Sequence, residues 1–179
     1  MHIRDDLRFI CAAIDANLRH AESKHATFIA FNGVATFGGF GLLRNLSPNT
    51  GEWLAYCVLS TAICLLICAI IIGIYSFIPI IIHEKKASAT SASNNAMFFE
   101  HVKFHSAQSY EKLLCEEYQV NPESIAPLDR CVILQIVANA HLASRKFALF
   151  KRVAVFDLAA VVFALGGAVL ALVIGRGIS

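Results

Sequence analysis

Apolar and charged positions alternate along this chain with the period of helices, and the longest unbroken apolar run is residues 53–82, WLAYCVLSTAICLLICAIIIGIYSFIPIII, without one full charge. As a helix it would be about 45 Å long, against the roughly 30 Å hydrocarbon core of a bilayer. Trp53 and Tyr56 at one end, with Tyr75 and Phe77 near the other, suit the two water interfaces. Pro79 removes a backbone donor one turn from the end and is expected to kink the last turn. A core helix of a soluble protein is the bland alternative, but such helices rarely carry more than about 20 apolar residues in a row.

The same reading places five further helical stretches. Residues 4–24 set Leu7, Ile10, Cys11, Ile14, Leu18 and Ala21 at helical spacing, with Arg4, Arg8, Asp15, Arg19 and Glu22 mostly elsewhere on the wheel. This amphipathic helix leads into residues 26–43, an uncharged run just long enough to span, with Asn32 near its middle and Gly33, Gly38, Gly39 and Gly41 lowering its helix propensity. Ala35 and Gly39 form a small-xxx-small pair that allows close approach of another helix. Ser47, Pro48, Asn49 and Gly51 mark a short turn before the long run. After it, residues 87–96 read as a small-residue linker. Residues 97–118 resume a helical pattern, with Phe98, Val102, His105, Ser109 and Leu113 on one stripe, until Asn121, Pro122 and Pro127 interrupt it. Residues 128–152 form a helix that is apolar around much of its circumference, and 153–174 form a third span with Ala160, Ala164 and Ala168 on one stripe and Gly167, Ala171 and Gly175 on another.

Composition agrees with a membrane protein: 57% of the 179 residues are hydrophobic and 16% charged, against the roughly 25% charged of a soluble domain. The net charge of +2 is too weak and dispersed for nucleic acid. Its distribution instead gives orientation. Four basic residues precede the first span, nine lie between the second and third, and the short loop and the tail hold only Arg44 and Arg176. The positive-inside rule then puts the N-terminus and residues 83–152 in the cytoplasm and the C-terminus outside. The expected organisation is a cytoplasmic amphipathic helix (1–24), span one (25–43), an outer loop (44–52), span two (53–82), a cytoplasmic helical module (83–152), span three (153–174) and an outer tail (175–179). The fold class is all-α. No cleaved signal is expected, because Arg4, Asp5, Asp6, Arg8 and Asp15 break the required order. The six cysteines contain no C-x-x-C pair and read as small apolar fillers in a reducing compartment.

No catalytic signature is present: there is no G-x-S-x-G, no H-E-x-x-H and no glycine-rich phosphate loop before a helix. An enzyme is therefore not expected, nor a cofactor. His101 and His105 lie at i, i+4 beside Glu100, but no third ligand follows at a suitable spacing, so no metal site is expected. Asn32 is expected to bond across helices, and Asp157, one turn inside Arg152, to snorkel or to pair with Arg152 or Lys151.

Residues 21–27 (AESKHAT) running into a span with Asn32, then Phe98-Phe99, Tyr110, Gln135, Asn139 and Arg145-Lys146-Phe147 before the last span, resemble the transmembrane effector of Pycsar. The resemblance covers nearly the whole chain and is weakest over residues 83–95, so it implies nothing about that linker. It implies a bacterial inner-membrane, multi-pass antiphage effector that binds a cyclic pyrimidine mononucleotide, cyclic CMP or cyclic UMP, made by a partner nucleotide cyclase. It then impairs membrane integrity and kills the infected cell. A cyclic mononucleotide needs a cation for its phosphodiester, an aromatic or apolar slab and amides for the base edge. Lys24, Arg145 and Lys146 are candidate cations, Gln135 and Asn139 candidate base-edge groups, and Tyr110 a candidate stacking ring. Each has a plainer reading: the cations as juxtamembrane lipid anchors, the amides as interhelical partners and Tyr110 as core. Membrane lipid and further copies of the chain are the other expected partners. The rival readings are an assembly subunit of a larger membrane complex and a constitutive permeabilising toxin.

Overall fold

The computed structural model describes residues 3–46, 52–78 and 96–177, and among them every regular element is helical. The helices are α1 (Ile3–Arg44), α2 (Trp53–Ser76), α3 (Phe99–Val102), α4 (Ala107–Tyr118) and α5 (Pro127–Gly177), with a 3₁₀ turn at Pro122–Ser124. Three of them, α1, α2 and α5, are long and apolar enough to cross a membrane. The chain divides into two compact units: a charged unit of residues 1–22 and 79–148, and an apolar unit of residues 23–78 and 149–179.

In the charged unit, Leu7, Ile10 and Ile14 of α1 pack with Ile133, Ile136, Val137, Ala140 and Ala143 of α5, and α3 and α4 close the core with Phe99, Val102, Tyr110 and Leu114. These positions repeat at three- and four-residue intervals, so burial follows the periodicity of the sequence. The expected single helix over residues 97–118 is instead two, α3 and α4. Ser106 stops the pattern: its side chain accepts from the Ser109 amide at 3.1 Å and caps α4. His101 and His105 therefore do not share a helix; His105 Nδ1 lies 3.1 Å from Ser109 Oγ. Helix α4 ends at Gln119, held at φ 52° in the left-handed conformation. Pro127 opens α5 at a position where its missing amide proton leaves no gap, and α5 carries on through residues 128–174 as one helix.

In the apolar unit, α2 runs antiparallel to α1, because a Cβ on Gly39 would meet Ile63 Cγ1 at 2.9 Å and one on Gly73 would meet Ile29 Cγ1 at 2.8 Å. Gly167 of α5 also faces α2, less tightly, with the Leu59 amide nitrogen 3.4 Å from where its Cβ would stand. Gly39 of span one and Gly167 of span three thus admit α2 within the chain, while Ala168 on the other small-residue stripe of span three is exposed. Helix α2 stops at Ser76 and turns at Phe77 and Ile78, earlier than the expected end at Ile82. Ile78 precedes a proline, which disfavours helical backbone at that residue; residues 79–82 lie outside the described ones. At 24 residues, α2 is about 36 Å long, closer to one bilayer core than the full apolar run. Its cysteines Cys57, Cys64 and Cys68 are exposed on the face away from the bundle rather than filling it, and all six cysteines are free.

Candidate functional site

Helices α1 and α5 run parallel in the charged unit, and their seam is polar as well as apolar. Asp15 Oδ1 accepts from Asn139 Nδ2 at 2.6 Å, and Arg4 pairs with Asp129 at 3.1 Å. Glu22 and Lys146 form an ion pair in which the Lys146 side chain is only 13% exposed. Each pair links residues 124 or 125 apart in sequence, as two helices in fixed parallel register require. Gln135, Asn139 and Lys146 recur on one face of α5 because residues four and seven apart return to the same side. Gln135 itself is exposed.

A second cluster stands beside this seam. Lys103 Nζ donates to Ser144 Oγ at 2.9 Å and to Glu100, and Lys103 lies 5.0 Å from the Phe104 ring centroid. Phe99 stacks on Phe147 with ring centroids 5.4 Å apart, and the half-exposed Phe98 meets His101 edge-on. Glu111 and Arg130 tie α4 to α5 at 3.2 Å. Lys103 and Ser144 were invisible to sequence reasoning because no local spacing relates residues 41 apart. The run of Phe98, Phe99, His101 and Phe104 was the available signal.

The six residues predicted from sequence do not gather at one point. Tyr110 is fully buried, with its hydroxyl donating to the Ala96 carbonyl at 2.7 Å, so its ring has no face open for stacking. Burial pushes its pKa up. Lys24 belongs to the apolar unit, where its ammonium lies 5.5 Å over the Phe150 ring. Asn139 and Lys146 are on the seam, Gln135 is exposed on their face, and the half-buried Arg145 adjoins Lys146. Among the described residues, no group of three or more His, Cys, Asp or Glu is arranged to hold a metal ion.

The apolar unit has a polar interior of its own. Asn32 Nδ2 donates to Asp157 Oδ1 at 2.8 Å, so Asn32 does bond across helices. Asp157 pairs inward with Asn32 rather than snorkelling toward Lys151 or Arg152. Those two basic residues sit about 120° and 140° around the helix from Asp157 and are exposed. His25 is held edge-on by Phe77 and Phe150.

Searches for similar sequences among curated proteins and for similar solved structures found no match. A family model described as the Pycsar effector protein domain matches residues 6–175, a stretch that takes in the Asp15–Asn139 and Glu22–Lys146 pairs, the Lys103 cluster and nearly all of the three apolar helices. The chain belongs to that family of antiphage effectors.

Proposed function

We propose that this protein is a multi-pass inner-membrane effector that binds a cyclic pyrimidine mononucleotide in its charged unit and then breaches the membrane. The family implies a partner cyclase and cyclic-nucleotide signalling. The observation that carries the finer reading is the Glu22–Lys146 ion pair, the last charged contact of the seam before α1 and α5 continue into apolar sequence. A phosphodiester is an anion of the same charge as the Glu22 carboxylate, and it would compete for the Lys146 ammonium.

In this mechanism the ligand phosphate replaces Glu22 on Lys146, with Arg145 adding a second cation. Gln135 and Asn139, on the same α5 face, meet the base edge. Tyr110 shapes the core behind the site, and Lys24 acts as a juxtamembrane anchor. Releasing Glu22 loosens α1 from α5, and the ligand favours that packing by its differential affinity. No proline or glycine interrupts α5 from Leu128 to Val162, so a rotation of its first half carries into the third span. The positive-inside distribution supports a cytoplasmic charged unit, reached by a cytoplasmic messenger. Several copies of the chain would assemble to form the lesion.

The test combines titration of detergent-purified protein with cyclic CMP or cyclic UMP and dye entry into cells expressing it with a cyclase. Saturable binding, lost in Lys146→Met, with dye entry that requires the cyclase supports the reading. Glu22→Gln should tighten binding or permeabilise cells without ligand. Dye entry in wild type without any cyclase would instead identify a constitutive permeabiliser. No binding together with no harm would identify an assembly subunit.

A further inference from the structure

Asn32, Thr36 and Asp157 stand together inside the apolar unit, and their hydrogen bonding is incomplete. Their residues are 0%, 9% and 7% exposed, so water in bulk does not reach them. The hydrogen bond from Asn32 Nδ2 to Asp157 Oδ1 leaves three buried oxygens without a partner: Asn32 Oδ1, Thr36 Oγ1 and Asp157 Oδ2. Three such atoms within about one turn of α1 and its Asp157 partner are unusual, since buried polar atoms are nearly always satisfied. Asn32 and Thr36 are one helical turn apart on the same face of α1. On α5, Asp157 is followed one turn later by the buried Ala160, a small side chain that the parallel register brings to the level of Thr36. The α1–α2 register places Leu66 and Ala69 opposite, and both are apolar.

We infer that these three side chains form a binding site for one monovalent metal cation, sodium or potassium, within the transmembrane bundle. The donors are a carboxylate, an amide carbonyl and a hydroxyl, the hard oxygen set that alkali cations take. Charge decides between the possible occupants. A water molecule would satisfy the three oxygens but leave the carboxylate uncompensated in apolar surroundings, which is costly. A divalent ion would leave a positive charge in excess, because no second carboxylate is present on this face. A single monovalent cation both satisfies the oxygens and cancels the charge. This inference concerns the resting bundle and stands whether or not the protein responds to a cyclic nucleotide.

The test is thermal unfolding of the full-length protein in uncharged detergent, in sodium, potassium or choline chloride at equal ionic strength. The expected result is a midpoint several degrees higher in one alkali salt than in choline, rising with its concentration as a ligand bound to the folded state requires. Asp157→Asn should abolish that dependence, and Thr36→Val should shift it to higher salt. An equal midpoint in choline and both alkali salts would overturn the site. So would an unchanged alkali response in Thr36→Val, a readout that survives if Asp157→Asn does not fold. Acid that raised the midpoint in choline to the alkali value would assign the charge to a proton instead, and would also overturn it.

Discussion

Replacing Tyr110 with Phe separates a packing role from a ligand-binding one. The change keeps the buried ring and removes only the hydroxyl that donates to the Ala96 carbonyl at 2.7 Å. An orphaned buried acceptor costs about 1–3 kcal/mol, but Ala96 is half-buried and water can replace the lost donor, which puts the expected loss near ~1 kcal/mol. For a chain of this size that corresponds to a melting shift of roughly 2–4 °C. Tyr110→Ala, which opens a cavity among Val102, Leu114 and Ile136, should cost about 3–5 kcal/mol. Alkali adds a second readout. Burial raises the Tyr110 pKa in the fold, so the unfolded chain gives up its phenolic proton first, and stability should fall as pH climbs above about 10 and keep falling until the folded group ionises. The assay is thermal unfolding in detergent together with amide exchange in α4, for wild type and both variants. Tyr110→Phe that melted like wild type, lost none of its alkaline sensitivity and failed to bind ligand would refute the argument, because the hydroxyl would then face the ligand and not Ala96.

Three further outcomes follow from local geometry. Gly39→Ala and Gly73→Ala should each destabilise the apolar unit by about 1–3 kcal/mol, since the new methyl meets Ile63 or Ile29 under 3 Å away; Gly33→Ala, with nothing within 4 Å, should be neutral or slightly stabilising in the same melting assay. Gln119→Gly should raise the melting point by relieving the left-handed backbone at φ 52°, a gain of up to ~1 kcal/mol if the end of α4 unfolds with the rest. A double-mutant cycle of Glu22→Gln with Lys146→Met should return a coupling of about 1 kcal/mol or less in stability, because Glu22 is 42% exposed, while the same cycle in ligand affinity should be strongly non-additive.

The three apolar helices were legible because uncharged runs of 18 residues or more leave few alternatives to a span. The joining of residues 128–152 to 153–174 was legible as well, since no breaker lies between them. The break at residues 103–106 was not. Phe98, Val102, His105 and Ser109 satisfy helical periodicity, and only the short polar side chain of Ser106 competes with it. Pairing across 124 or 125 residues leaves no local trace, which hid the seam of Asp15, Glu22, Asn139 and Lys146 and the partner of Asp157. Helical phase offered a clue to the last of these, as it turns Lys151 and Arg152 away from Asp157. The candidate binding residues were drawn from the family resemblance and from side-chain chemistry, and neither can tell a surface tyrosine from one that the core needs.

The bond between Asn32 and Asp157 bears on how the protein is made. A carboxylate is penalised as a helix leaves the translocon for lipid, by up to about 3 kcal/mol at the bilayer centre. The amide that receives Asp157 was synthesised 125 residues earlier. A first span still at hand when the last one emerges would offset that penalty, so insertion as a bundle rather than one helix at a time is the expected outcome. Removing the Asn32 amide should leave ribosome-bound chains with the last helix stalled at the insertion site.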